Sequence, residues 1–180
     1  TADGVVQAGV EYTNKASVVG SGLEHSYSVH YTKSFTINVE MKPGFGGLDI
    51  TKLLTGSETA KVPAGTTFQV GINYTLPGGA TVDTYPGWKA PGTVNQTHTG
   101  GDTSMTVTVG EKAVYNGTFP VGTVLTLDED TTTASATPAG VVWGSHTFTV
   151  GDQNTNSLTV EDQKSTAVTL RNSADPAAVE

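Results

Sequence analysis

Apolar and polar side chains alternate along most of the chain, and no stretch of about ten residues carries a helical apolar stripe. A period of two sends successive side chains to opposite faces, which predicts strands half-buried against a core. The expected strands are Val10–Val18, Ser26–Tyr31, Phe35–Met41, Leu48–Leu54, Thr66–Leu76, Thr103–Val109, Lys112–Phe119, Thr123–Asp128, Val141–Val150, Ser157–Glu161 and Thr166–Arg171. Clusters of Gly, Pro, Asn and Asp separate them. The fold class is therefore all-β.

The strongest break is Lys42-Pro43-Gly44-Phe45-Gly46-Gly47, where a proline and three glycines interrupt the pattern. Residues 45–174 hold enough strands for a complete sandwich, with 175–180 as a linker or tail. Residues 1–44 hold too few to bury a core. They are expected to be the last strands of a preceding domain that begins upstream. The rival reading makes them extra strands of one larger domain.

Three strands end an inward apolar face on a polar residue. Leu48 and Ile50 share a face with Lys52, Leu125 and Leu127 with Glu129, and Val168 and Leu170 with Asn172. Singly, each reads as a rim residue: a lysine can snorkel and an asparagine can cap a turn. Together they are harder to set aside, because a buried unpaired charge costs several kcal/mol and these three can neutralise one another. They also suit one reaction. A neutral lysine amine attacks the asparagine side-chain carbonyl while a carboxyl shuttles protons, ammonia leaves, and an intramolecular isopeptide bond remains. Burial disfavours the charged forms and so supplies a neutral nucleophile and a protonated acid near neutral pH.

The segments Leu48–Lys52, Pro120–Glu129 and Val168–Asn172 resemble those of a Cna-B-type domain, an immunoglobulin-like stalk module of Gram-positive adhesins and pili. Gly56, Pro63–Phe68 and Gly140–Gly144 are similar, more narrowly, to a module without assigned function near the cell-wall end of large actinobacterial surface proteins. The resemblance spans about Phe45 to Asn172. It implies an immunoglobulin-like sandwich in which Lys52 bonds Asn172 with Glu129 as catalyst. In the first segment, Tyr12-Thr13-Asn14 is similar to late strands of other adhesin modules, which makes Asn14 a candidate bond partner in the preceding domain. An asparagine hydrogen-bonded within a partial core is an equal reading of Asn14.

Composition narrows the function. A net charge of −8 opposes binding to a phosphate backbone, so nucleic acid is not an expected partner. With no cysteine there is neither a disulfide framework nor a thiolate metal site. No apolar run approaches the roughly 18 residues of a membrane span. His25, His30, His98 and His146 lack paired ligand spacing, and Asp152–Asn156 lacks the later residues of a calcium loop, so no metal and no cofactor is expected. Asn73, Asn95 and Asn116 match the glycosylation triplet, from which nothing follows for a bacterial protein. Tyr85–Lys89 differs from a pilin linkage motif in having Trp88 where that motif has proline.

The leading expectation is a structural stalk module of a bacterial surface adhesin or pilus-like protein. It would be extracellular, anchored to the cell wall through regions outside this chain, and partnered by neighbouring domains of the same polypeptide. Self-crosslinking would be its only reaction, so it is not a turnover enzyme. The alternative is a module that binds a host glycan or protein through the loop 78–101, with Tyr85, Trp88 and His98 as contacts.

Overall fold

The computed structural model describes residues 12–20, 23–31 and 39–178. The chain divides into two compact units, Thr1–Asn38 and Val39–Glu180. In the first, β1 (Tyr12–Gly20) and β2 (Leu23–Tyr31) form an antiparallel hairpin in which Asn14 lies opposite Val29. The strand expected at Phe35–Met41 lies outside the described residues as far as Asn38, and Val39–Met41 is not strand.

The second unit is a β-sandwich of immunoglobulin-like architecture. One sheet contains β3 (Phe45–Thr55), β7 (Lys112–Val114), β8 (Phe119–Pro120), β10 (Val141–Val150), β11 (Gln153–Asn154) and β13 (Ser165–Pro176). Its order is β11-β10-β13-β3-β7, with β8 also pairing β3. The facing sheet contains β4 (Thr67–Thr75), β5 (Thr93–Val94), β6 (Gly100–Thr108), β9 (Val124–Asp130) and β12 (Ser157–Thr159), in the order β12-β9-β4-β6-β5. Leu48, Ile50, Val168, Leu170 and Phe148 from one sheet meet Phe68, Val70, Ile72, Val107, Leu125 and Leu127 from the other. Alternation along each strand supplies these faces, which is why the core needs no helix.

The first and last strands of the sandwich, β3 and β13, are parallel neighbours, with Leu170 opposite Lys52 and Asn172 opposite Leu54. Parallel pairing puts the chain's entry at Phe45 and its exit at Pro176 at opposite ends of the domain.

Three elements differ from the sequence expectation. Of the three glycines in the break, Gly44 is in a turn at φ +88°, whereas Gly46 and Gly47 belong to β3: a Cβ on Gly46 would lie 2.0 Å from the Glu161 carbonyl oxygen, and the Gly47 N–H donates to the Lys164 carbonyl at 2.9 Å. Gly46 thus serves close backbone approach, the other use of glycine's missing side chain. The strand expected at Lys112–Phe119 breaks after Val114, where Tyr115 stacks on Phe119 at 5.3 Å. Asp175 and Pro176, assigned to the tail, extend β13 opposite Val142 and Val141.

Candidate functional site

Lys52 on β3 and Asn172 on β13 come from adjacent strands of one sheet, and Glu129 on β9 reaches them across the core from the other. Lys52 and Asn172 are fully buried and Glu129 is 5% exposed. The Lys52 Nζ donates to Glu129 Oε2 at 2.7 Å and also to Asn172 Oδ1. Asn172 Nδ2 donates to Glu129 Oε1. Each carboxyl oxygen therefore faces one of the two nitrogens, and the amine faces the carboxamide it would attack.

Apolar surroundings set the state of the amine. Nζ sits 4.2 Å above the centre of the Phe68 ring, and Trp143 packs edge-on against Phe68 at 5.0 Å. Desolvation holds the Lys52 amine below the ordinary lysine range, while the hydrogen bond and charge of Glu129 pull the other way. Trp143 is fixed by its indole N–H, which donates to Thr137 Oγ1 at 3.1 Å. Near this end of the core Gly56, at φ +94°, lets the chain turn beneath the Ala174 carbonyl, whose oxygen would lie 2.4 Å from a Cβ.

The loop residues do not converge. Trp88 is half-buried, donates its indole N–H to the Thr118 carbonyl at 2.8 Å, and packs edge-on against Tyr74 at 6.4 Å. Tyr85 packs on Phe45 at 6.3 Å and on Trp88 at 6.0 Å. A cleft of about 350 Å³ beside Trp88 is lined by Glu40, Lys42, Phe45 and Lys89 among others, but not by His98. His98 is exposed in the turn before β6, with φ +59°, and its carbonyl accepts from the Val82 N–H at 2.9 Å.

His146, which by its lack of paired ligand spacing reads as a surface or rim histidine, is exposed. Its Cα pairs with Asn172, which places it on the inward face beside the buried carboxamide. A bulge between Trp143 and His146 brings it there, and Gly144 within a strand pattern was the available signal.

A family model described as a domain of unknown function, DUF7926, matches residues 1–44. No curated protein matches the chain. Among solved structures, a pilus-presented adhesin, Cpa, is similar at 17% identity over 74% of this chain and 28% of that one, with a TM-score of 0.43. A bacterial adhesin from Mobiluncus mulieris containing intramolecular disulfide, isopeptide and ester bond cross-links is similar at 18% identity over 86% of this chain and 48% of that one, TM-score 0.40. The major pilin protein T3.2 from Streptococcus pyogenes is similar at 12% identity over 96% and 65%, TM-score 0.38. The chain spans less than two thirds of the length of each.

Proposed function

We propose that residues 45–174 are a stalk module of a bacterial surface adhesin or pilus-like protein, stiffened by an isopeptide bond that the domain makes in itself. The observation that carries this reading is the closed contact of Lys52, Glu129 and Asn172 inside the core. A buried ion pair is a poor way to gain stability, because desolvation offsets most of the Coulomb attraction. The same three groups are well arranged for chemistry.

In the reaction, the neutral Nζ of Lys52 attacks Cγ of Asn172. The Nζ–Cγ bond forms, the Cγ–Nδ2 bond breaks, and Nδ2 departs as ammonia. Nζ must lose one proton and Nδ2 must gain one. Glu129 accepts the first through Oε2 and delivers the second through Oε1, so the carboxyl ends as it began. The reaction runs once per chain.

The topology explains what the bond does mechanically. Tension applied at Phe45 and Pro176 loads the parallel β3–β13 ladder in shear. A Lys52–Asn172 bond carries that load directly and bypasses the intervening chain, the two residues being 120 positions apart. By analogy with a disulfide closing a loop of about 100 residues, it also constrains the unfolded chain by roughly 4–5 kcal/mol.

Intact mass tests the proposal. The wild-type chain is expected to weigh one ammonia less than its sequence, and Glu129→Ala to retain that ammonia while keeping the fold. A wild-type mass equal to the sequence mass sinks the reading, and loss of ammonia by Glu129→Ala removes Glu129 from it.

A further inference from the structure

A reaction that releases ammonia inside a packed core needs a way out, and the flank of the sandwich nearest the three residues shows where it is. Glu129 lies on β9, whose outer neighbour β12 pairs only with Val124–Thr126. On the other sheet, β10 is next to β13, and its outer neighbour β11 pairs only with Thr149 and Val150. At the level of the three residues one sheet therefore ends at β9, which carries Glu129, and the other at β10, one strand from Asn172, with neither β11 nor β12 in the way.

What stands on that flank is His146. Opposite Asn172 in an antiparallel pair, its Cβ lies about 5 Å from that of the carboxamide. It shares the inward face with Phe148, against whose ring it stands perpendicular at 6.0 Å. Asn172 is fully buried, whereas His146 is exposed. His146 also borders a cleft of about 330 Å³, whose wall includes Leu127, Asp128, Phe148 and Asn156. The other sides are shut by larger apolar groups, with Phe68 under the amine and Trp143 against Phe68.

We propose that His146 is the gate of this site, past which the ammonia displaced from Asn172 leaves the core into the cleft between β9 and β10. The inference rests on the bond-forming reading and adds its exit route. His146 makes and breaks no bond in the reaction. His146 stands opposite the buried Asn172 and borders the cleft, so only one side chain has to swing for a small neutral molecule to pass.

The test is a time course of intact mass on the full chain, freshly made by cell-free translation and quenched at intervals in acid denaturant. Wild type, His146→Ala and His146→Trp are compared, with melting temperatures of both variants taken in a Lys52→Ala background to establish that the fold is kept. The expected result is loss of ammonia by His146→Ala at or above the wild-type rate, and a roughly tenfold slower loss by His146→Trp. Equal rates for wild type and His146→Trp overturn the gate while leaving the bond intact as a reading. Slowing by His146→Ala also overturns it, since removal of the ring opens the flank. If His146→Trp does not fold, the His146→Ala rate decides alone. Absence of ammonia loss from the wild-type chain strikes at the bond itself and is read separately.

Discussion

Two groups of residues stand out in the sequence as candidates for function, and the fold treats them in opposite ways. Glu129 and Asn172 lie 77 and 120 positions from Lys52 along the chain, yet the three meet in one contact. Tyr85, Trp88 and His98 share one loop and do not form a common surface. The difference is in the alternatives each side chain has. A charged or amide group at an inward strand position has nothing else to pair with, so burial drives the three together. An aromatic ring in a loop finds apolar surface wherever the loop touches the sandwich. Trp88 takes Tyr74 and the Thr118 carbonyl, and its binding capacity is largely used in holding the loop down.

Lys52→Ala should break the contrast most severely. It takes away the cross-link proposed above, worth roughly 4–5 kcal/mol, and leaves the Glu129 carboxyl buried without its Lys52 hydrogen-bond partner, at about 1–3 kcal/mol. The two effects share a partner and will not add fully. A combined loss of about 5 kcal/mol or more is expected from thermal or denaturant unfolding. A loss below about 1 kcal/mol would mean that the three residues are an ordinary rim cluster.

That prediction was within reach of the sequence because strand parity is a strong signal. Lys52, Glu129 and Asn172 each continue a face begun by two aliphatic residues, and all three are buried. The strand Val141–Val150 was also legible to its ends. The exposure of His146 was legible as well, but its register opposite Asn172 was not, because the bulge shifts parity within that strand: Trp143 pairs with the inward Ala174, and three positions later His146 is inward too. Gly144 lies within this bulge, and the Asp175 carboxylate occupies the space its Cβ would take. Gly46 misled for a related reason. A glycine that lets the chain turn and one that lets another backbone approach look identical in sequence, and only the position of the Glu161 carbonyl distinguishes them.

Trp88→Ala probes the other side of the comparison. The indole is half-buried and hydrogen-bonded, so about 2–3 kcal/mol should be lost, less than for a fully buried tryptophan. The expected mass deficit of one ammonia should be unaffected, as Lys52, Glu129 and Asn172 are untouched. If stability were unchanged while binding to a surface glycan or protein were lost, the loop would be a recognition site and the alternative function would gain the advantage.

A gentler effect separates the bonded from the unbonded protein by pH. In Asn172→Ala the Lys52 amine cannot be acylated and still titrates, with its folded-state pKa below the unfolded value of about 10.4. Between the two values the unfolded chain holds more protons, so stability rises with pH across that window and is flat below it. A wild type that has formed the proposed bond carries an amide at the same place and lacks this rise. Denaturant midpoints measured from neutral pH to about pH 10 should therefore climb in Asn172→Ala more steeply than in wild type. Parallel profiles would indicate that wild-type Lys52 is still a free amine.

The smallest effect is expected at His98. Its φ of +59° lies in the left-handed region, where a side chain costs about 1 kcal/mol and glycine pays no such strain. His98→Gly relieves that strain but gives the unfolded chain more freedom, and the two terms nearly cancel. The ring is exposed and the turn is held by its backbone, through Asn95, Gly100 and Val82, so nothing in the native contacts depends on imidazole. Stability should stay within about 0.5 kcal/mol of wild type, and the mass deficit should persist. A loss of more than about 1 kcal/mol would show that the imidazole has a partner in the folded chain, and the loop's three aromatic and imidazole side chains would then have to be treated as one surface after all.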